Sequence, residues 1–316
     1  MSQTVHLKIG ANGVSVALSE FLASDFAGRI SLVASTLAPD ATRPSSLELS
    51  TAWLQILDAR LELNLSRQAV HTIAGEAIAL QPEADFADRL LSILLDDDTN
   101  QGGVIAPEVG LFIVSCERYL SKALRLCDDL SEFHSSTFVV VGDPIAQEAR
   151  LERQVLTVPS GDSYEDLPTK TMQMLIFARR VRRGAGIFKI DDDARVAGPP
   201  DRARMTELEK SVQYAGYIND PSGRQMDRCW HAGKCLNRDM TPYRGRYRNP
   251  YASGAAYYLG PGAVDVLVKD YFRYRAEFDA ELYEDKAIGT ILAINEIEPK
   301  PANIGDILGL QLDMHG

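Results

Sequence analysis

The sequence predicts an α/β domain built on a mostly parallel sheet, preceded by a mainly helical accessory region. Two observations carry that expectation. From about residue 110 onward, short apolar runs alternate with helix-period segments, the pattern of strand–helix–strand units. Before about residue 105 the composition differs in kind. None of the 12 tyrosines and none of the 4 cysteines lies there, and residues 1–105 carry 6 bases and 13 acids against 27 and 31 in the remainder. The stretch Asp96-Asp97-Asp98-Thr99-Asn100-Gln101-Gly102-Gly103 is acidic, polar and glycine-containing, which suits a linker. A boundary is therefore expected at residues 97–107, with 1–105 as an accessory domain and 106–316 as the α/β domain.

The accessory region opens with a hairpin signal. Val5, Leu7 and Ile9 alternate with polar residues, Asn12-Gly13 suits a tight turn, and Val14, Val16 and Leu18 resume the alternation. A proline- and serine-containing loop follows at residues 39–46. Beyond it, Trp53, Leu54, Ile56, Leu57 and Leu61 recur at helical spacing, as do Phe86, Leu90, Leu91 and Leu94. No catalytic constellation is found here, so a folding or partner-binding role is expected.

In the second domain, Leu111-Phe112-Ile113-Val114 is a short apolar strand. A helix follows over residues 117–130, with Leu120, Leu124 and Cys127 on one face. Residues 137–141 form a strand ending in Gly142-Asp143-Pro144, and residues 154–158 another ending in Ser160-Gly161-Asp162. Residues 167–181 read as a helix and 186–190 as a buried strand. Pro261 sits in the first turn of a helix running to about Tyr274, and residues 286–293 form a further helix. Sheets of this kind bind ligands at the C-terminal ends of their strands, so polar residues just after strands are the candidates for function.

Composition narrows the function. Hydrophobic residues make up 45% and charged residues 24%, which excludes a mostly disordered chain. Acids outnumber bases 44 to 33 for a net charge of −11, so a nucleic acid is not expected as the main partner, because neutralising phosphates needs a basic surface. No apolar run approaches the roughly 18 residues of a membrane span. The N-terminal MSQTVHLKIG lacks a basic region followed by an apolar one, so no secretory leader is expected. Four cysteines do not make a disulfide scaffold in a chain this long, and a cytosolic, reduced protein is the expectation.

The strongest chemical signal is Ile187-Phe188-Lys189-Ile190-Asp191-Asp192-Asp193, three adjacent carboxylates after a buried strand. Like charges this close repel unless a cation offsets them. Hard cations such as Mg²⁺ and Mn²⁺ take oxygen ligands and bridge to substrate phosphates. In an extended segment Asp191 and Asp193 point the same way, which gives a metal–diphosphate site at a strand end. The alternative is a solvated acidic turn; the same triplet also occurs at Asp96–Asp98, where nothing suggests chemistry.

Secondary candidates are fewer. Ser253-Gly254-Ala255-Ala256 uses only small residues, allowing either close ligand approach or tight strand packing. In Trp230-His231-Ala232-Gly233-Lys234, Lys234 is a candidate for diphosphate contact and His231 for a metal or hydroxyl, with a structural histidine as the alternative. Cys229 and Cys235 lack a second pair at zinc spacing, so free thiols are expected. Arg179, Arg180, Arg182 and Arg183 form one basic run and Arg244, Arg246 and Arg248 another. They read as solvated faces, or as contacts to an anionic lipid-linked acceptor or membrane surface.

The neighbours of the triplet weigh in its favour. Asp162-Ser163-Tyr164-Glu165-Asp166-Leu167-Pro168-Thr169-Lys170-Thr171 precedes it, and Tyr251-Ala252-Ser253-Gly254-Ala255-Ala256-Tyr257-Tyr258-Leu259 and Tyr283-Glu284-Asp285-Lys286-Ala287-Ile288-Gly289 follow. In this order and spacing, over about residues 110–295, the segments resemble glycosyltransferase family 31. That family comprises the β-1,3-galactosyl- and N-acetylglucosaminyltransferases, with motifs D-S-Y-x-N-L-T-x-K-T, K-x-D-D-D, Y-x-S-G-x-x-Y-x-L and E-D-V-x-x-G. Asp166, Pro168 and Ala255-Ala256 depart from the pattern.

The resemblance implies a GT-A nucleotide-diphospho-sugar transferase fold using a divalent cation, Mn²⁺ or Mg²⁺. It implies that Asp191 holds the donor ribose and contributes to the metal, that Asp193 binds the metal, and that Asp192 reaches it directly or through water. Asp285 would be the catalytic base, or else simply the cap of the helix that follows, with Glu284 orienting the acceptor or bracing the loop. Arg118, Lys170, Gly254 and Lys234 are the further donor-binding candidates, and His315 is either a late metal ligand or part of a frayed terminus. The implied activity is inverting transfer of a hexose or N-acetylhexosamine, galactose or N-acetylglucosamine favoured, from a UDP-sugar to a glycan hydroxyl through a β-1,3 bond. A cytoplasmic enzyme of bacterial surface-polysaccharide assembly is expected, with a glycan or lipid-linked glycan acceptor and peripheral contact at the inner face of the membrane. The alternatives are a non-catalytic sugar-nucleotide or glycan-binding module and a metal-dependent phosphoryl-transfer or hydrolytic enzyme.

Overall fold

Strongly apolar strands form the centre of the structure's main sheet. The computed structural model describes residues 3–9, 12–37, 44–60, 63, 65, 67–80, 110–134, 136–181, 184–221, 229–236, 243 and 245–312. The chain divides into two compact units, Met1–Asn100 and Gln101–Gly316.

In the first unit, β1 (Thr4–Ile9) and β2 (Asn12–Ala17) pair antiparallel. Val5, Leu7, Ile9, Val14 and Val16 are buried, while the residues between them face outward. Register differs from the expected turn. Leu7 lies opposite Val14 and Val5 opposite Val16, which puts Asn12 opposite Ile9 and Gly13 opposite Lys8. Asn12-Gly13 therefore opens β2, because a slip of one residue would turn the valines out of the core. Among the described residues four helices follow: α1 (Leu18–Ala23), α2 (Phe26–Ser35), α3 (Ser46–Asp58) and α4 (Arg67–Leu80). Helix α3 starts at a reciprocal cap. The Ser45 hydroxyl accepts from the Glu48 amide at 3.3 Å, and Glu48 accepts from the Ser45 amide at 2.9 Å. Its Trp53 is wholly buried edge-on against Phe21, with ring centroids 5.2 Å apart. Leu61, the expected helix around Phe86–Leu94 and the stretch at 96–103 lie outside the described residues.

The second unit has the expected α/β architecture. Its strands are β3 (Gly110–Val114), β4 (Thr137–Gly142), β5 (Arg150–Glu152), β6 (Val155–Val158), β7 (Ile187–Asp191), β8 (Arg195–Val196), β9 (Tyr214–Asn219), β10 (Tyr251–Leu259), β11 (Lys300–Pro301) and β12 (Leu310–Gln311). Its helices are α5 (Leu120–Ser131), α6 (Leu167–Val181), α7 (Arg202–Ser211), α8 (Pro261–Arg273), α9 (Arg275–Asp279), α10 (Glu284–Ile294) and α11 (Ile304–Leu308). Among the described residues the main sheet runs β11-β9-β10-β7-β3-β4-β6-β5. Strands β7, β3, β4 and β6 are parallel, whereas β10 is antiparallel to both its neighbours and β5 to β6. The parallel centre is apolar on both faces because helices cover both.

Alternation sorts the β7 side chains. Phe188 and Ile190 join Leu111, Ile113, Val139 and Val141 in a core closed by α5, α7 and α11. Lys189 and Asp191 therefore point to the opposite face, where α10 packs on β10. Gly289 lets α10 sit that close: a Cβ there would lie 2.3 Å from the Tyr251 Cβ. Between β9 and β10 the register passes from Ala252 opposite Ile218 to Tyr257 opposite Gly216, so five steps on β10 face two on β9. This bulge holds Ser253-Gly254-Ala255-Ala256. Since Ala256 pairs with Ile190, the bulge lies beside Asp191, where β7 ends. No helix among the described residues is long and apolar enough to cross a membrane.

Candidate active site

Lys189 interrupts an otherwise apolar strand and is 2% exposed. Its Nζ donates to Asp191 Oδ1 at 2.6 Å and to the Gly254 carbonyl at 2.5 Å, and it lies 3.6 Å from Glu284 Oε2. Glu284 also accepts a short hydrogen bond from the Tyr257 hydroxyl. Asp285 takes the Gly254 amide on Oδ2 at 2.9 Å and the Lys286 amide on Oδ1 at 2.8 Å. The structure thus gathers Asp191, Gly254, Glu284 and Asp285, which are far apart in sequence, around one ammonium at the C-terminal end of β7.

The two α10 carboxylates differ from the sequence reading in one respect. They form the first turn of the helix instead of preceding it, and the N-cap position is Tyr283, which makes no side-chain cap. Asp285 is therefore not the helix cap weighed as its alternative role. The positive end of α10 favours negative charge at both residues. Burial nonetheless raises Glu284 to about 7, with Lys189 opposing and Asp285 adding to the rise. Burial likewise raises Asp285 to about 6 against the Gly254 and Lys286 amides. Burial works against charge on Lys189, but Asp191 and Glu284 outweigh it and hold the ammonium above the usual lysine range. Tyr164 is pushed up by burial and by nearby Asp285, which sets this tyrosine of the Asp-Ser-Tyr segment beside the acids.

The other edge of the triplet faces the loop after β3. Asp192 accepts from the Ser115 hydroxyl at 2.5 Å and lies 3.7 Å from the exposed Lys122 ammonium. The Ser115 carbonyl accepts from Lys170 Nζ at 2.9 Å, and Lys170 pairs with Asp162 at 2.6 Å. Asp162 also receives the Glu117 amide at 2.6 Å and the Gly142 amide at 2.7 Å. One buried ion pair therefore fastens the loops that follow β3, β4 and β6. Lys170, a donor-binding candidate from the sequence, is 1% exposed and bonded to these loops.

Arg118 is exposed on the β3 loop with its guanidinium 5.3 Å from the Tyr119 ring centroid. Lys234 is exposed, its ammonium 5.6 Å from the Tyr164 ring centroid. His231 is buried with Nδ1 2.9 Å from the Tyr283 hydroxyl, an interior position that favours its structural role. Arg179 pairs with Asp265, and Arg180 lies 5.5 Å over the Phe177 ring. Cys229 and Cys235 are free thiols. His315, Arg182, Arg183 and Arg244 lie outside the described residues.

Among the described residues, no group of three or more His, Cys, Asp or Glu side chains could hold a metal ion by itself. The triplet offers carboxylate oxygens only, at a strand end where Asp191 is 41% exposed. That donor set fits a hard cation whose remaining ligands come from a diphosphate and water. A cavity of about 700 Å³ borders the bulge at Ser253 and Ala256, with Tyr217, Asn303 and Asp306 among its other lining residues.

Sequence reasoning assigned no role to Lys189, Tyr257, Ser115 or Asp162. A lysine inside an apolar strand was the available signal for the first. For the last, it was an aspartate eight positions before a lysine across a helix start.

No family model matches the chain, and no curated protein matches it in sequence. Glycosyltransferases are among the solved structures it is similar to. One is a glycosyltransferase involved in the glycosylation of the major capsid of PBCV-1, at 13% identity and a TM-score of 0.36, covering 61% of this chain and 82% of that one. Another is the galactosyltransferase LgtC in complex with donor and acceptor sugar analogs, at 14% identity and a TM-score of 0.35, covering 62% of this chain and 73% of that one. Likeness this distant assigns no individual residue, and the functional reading stands on the geometry above.

Proposed function

We propose that the second unit is a metal-dependent inverting glycosyltransferase that moves a hexose or N-acetylhexosamine from a UDP-sugar to a glycan hydroxyl. The supporting observation is the juxtaposition of two acidic groups at one strand end. The triplet closing β7 faces the pair opening α10 across Lys189. The resemblance to family 31 favours galactose or N-acetylglucosamine and a β-1,3 bond, in assembly of a bacterial surface glycan at the cytoplasmic face of a membrane. The first unit, with no such constellation, is read as an accessory domain.

On this reading Asp193 and Asp191 hold Mn²⁺ or Mg²⁺ together with the donor diphosphate. When bound, the cation supplies Lewis-acid charge at the leaving group. Asp191 and Asp192 also lie where a donor ribose would be held, with Asp192 fixed by Ser115. Asp285 takes the proton from the attacking acceptor hydroxyl as the bond from that oxygen to the anomeric carbon forms and the bond to UDP breaks. Each of its oxygens accepts one backbone amide, which fixes the carboxylate and leaves lone pairs for that proton. Its raised pKa, near 6, makes it a stronger base than an ordinary aspartate while still ionised at neutral pH. Glu284, held by Tyr257 and Lys189, braces the turn that carries Asp285.

The test is a panel of UDP-sugars incubated with Mn²⁺ and saccharide acceptors, read by mass spectrometry of the acceptor. An acceptor gaining one sugar residue supports transfer. Phosphate release without regard to acceptor would mark a phosphoryl-transfer or hydrolytic enzyme, and UDP-sugar binding without turnover a binding module.

A further inference from the structure

Lys189 has three N–H donors and three acceptors around it, each from a different element. Asp191 belongs to the end of β7, the Gly254 carbonyl to the β10 bulge and Glu284 to the first turn of α10. The side chain is 3% exposed, and the ammonium also lies 5.5 Å from the Tyr257 ring. With two donors bonded and its charge paired with Glu284 inside the protein, this lysine is not placed to grip a ligand. It is placed to hold other groups in register.

A buried ion pair is weak evidence for stability, since an apolar side chain of similar size often serves as well. Lys189 could be replaced by packing if stability were its only task, and the strand around it is otherwise apolar. What packing cannot reproduce is a fixed geometry among two carboxylates and a bulge carbonyl. The amide of the same Gly254 that accepts from Lys189 donates to Asp285. One glycine thus transmits the position of the ammonium to the adjacent carboxylate.

We propose that Lys189 is a positioning residue that ties Asp191, the Gly254 bulge and Glu284 into one unit, so that the donor edge and the acceptor edge of the site are set together. This rests on the transferase reading, in which Asp191 faces the donor and Asp285 the acceptor hydroxyl. Displacement of Asp191 is then felt at Asp285 through one side chain and one glycine residue. Loss of the ammonium disturbs the chemical step more than donor binding, because Asp191 stays paired opposite Val114 in the sheet and Asp192 keeps its bond from Ser115, whereas the Gly254 bulge that positions Asp285 loses the contact behind it.

The experiment uses the full chain. Lys189→Met keeps the length and removes the ammonium. Because it leaves Glu284 buried without its cation, Lys189→Met/Glu284→Gln is prepared too, with Glu284→Gln as its reference. Affinity for UDP with Mn²⁺ is measured by calorimetry, and kcat and acceptor KM by UDP release. Urea unfolding of Asp191→Asn, Glu284→Gln and their double variant is measured in the parent and in the Lys189→Met background.

The proposal expects UDP affinity within about threefold of the reference and kcat lower by roughly tenfold or more, a split that general loosening of the fold would not give. It expects the Asp191 and Glu284 substitutions to be non-additive in the parent and additive without Lys189. Additive effects in the parent, or unchanged kcat in a folded Lys189 variant of an active enzyme, overturn the proposal alone. A wild-type chain that neither binds UDP nor transfers sugar overturns the transferase reading, and the positioning role with it.

Discussion

Both units of this chain bury cations, and Arg29 in the first is treated differently from Lys189 in the second. In the first unit Arg29 donates from Nε to the Phe21 carbonyl at 2.9 Å, from Nη2 to the Leu22 carbonyl at 3.3 Å, and from Nη1 to Glu76. The second oxygen of Glu76 accepts from Trp53 Nε1 at 2.7 Å. One positive charge meets one negative charge, with every guanidinium nitrogen donating and both carboxylate oxygens accepting. In the second unit Lys189 contacts Asp191 and Glu284, with Asp285 beside them, so acid is in excess and Asp191 remains partly open to solvent. The balanced pair is what a fold needs to bury charge. The unbalanced cluster is left short of a proton or a cation, the condition under which carboxylates do chemistry.

That contrast predicts where substitutions hurt. The largest effect should come from Asp285→Asn, which keeps the shape and removes the base. Its kcat for acceptor-dependent UDP release should fall by roughly 10²–10⁴-fold with UDP affinity and melting temperature retained. Near-normal turnover would send the search for a base to Glu284. Next is Arg29→Met, which strands Glu76 in the interior. It should cost about 3–5 kcal/mol of first-unit stability in urea, and the folded fraction should bind UDP as before. Altered UDP affinity in folded Arg29→Met would break the division between a structural and a chemical cation.

Asp193→Ala should weaken Mn²⁺-dependent UDP binding by at least roughly 10–100-fold, the cost typical of removing even a supporting contact at a metal site. Calorimetry with and without Mn²⁺ checks this, and affinity unchanged by the substitution removes Asp193 from the site. The smallest effect is on stability against pH. Asp285 and Glu284 have folded pKa values raised to about 6 and about 7. Their contribution to stability is therefore fullest below the ordinary carboxylate range and is lost as pH rises through those values. The double variant Asp285→Asn/Glu284→Gln should gain on the wild type between about pH 5 and about pH 8 in denaturant melts, and a loss over that range would mean these carboxylates are not raised.

Much of the second unit was legible because its signals are local. A helix over residues 167–181 and strands near residues 111, 137 and 187 follow from period and apolar runs alone, and the structure places them there. The antiparallel strand β10 and its bulge were not legible, since small residues in a strand read equally as packing or as ligand approach. Asp191 and Asp285 could each be named from motif order, but their shared ammonium could not. Lys189 meets Glu284 only when β10 and α10 fold back over β7, a contact spanning almost a hundred residues. Lys170 shows the converse: its motif position suggested a ligand, and its burial and pairing with Asp162 were not legible in the sequence. In the first unit alternation revealed the hairpin but not its register, because the valines and not Asn12-Gly13 fix the pairing.

The central claim, sugar transfer with Asp285 as the base, is tested most directly by the pH dependence of acceptor-dependent UDP release. Facing Asp285 are Glu284 and Lys286 from its own helix, Lys189 and Asp191 from β7, and Tyr164 from the loop after β6. With a base raised to about 6, kcat/KM should climb as pH rises through that value and then level off, vanishing at every pH when acceptor is omitted. A rate that is flat from about pH 5 to about pH 8, or that persists without acceptor, would contradict the assignment.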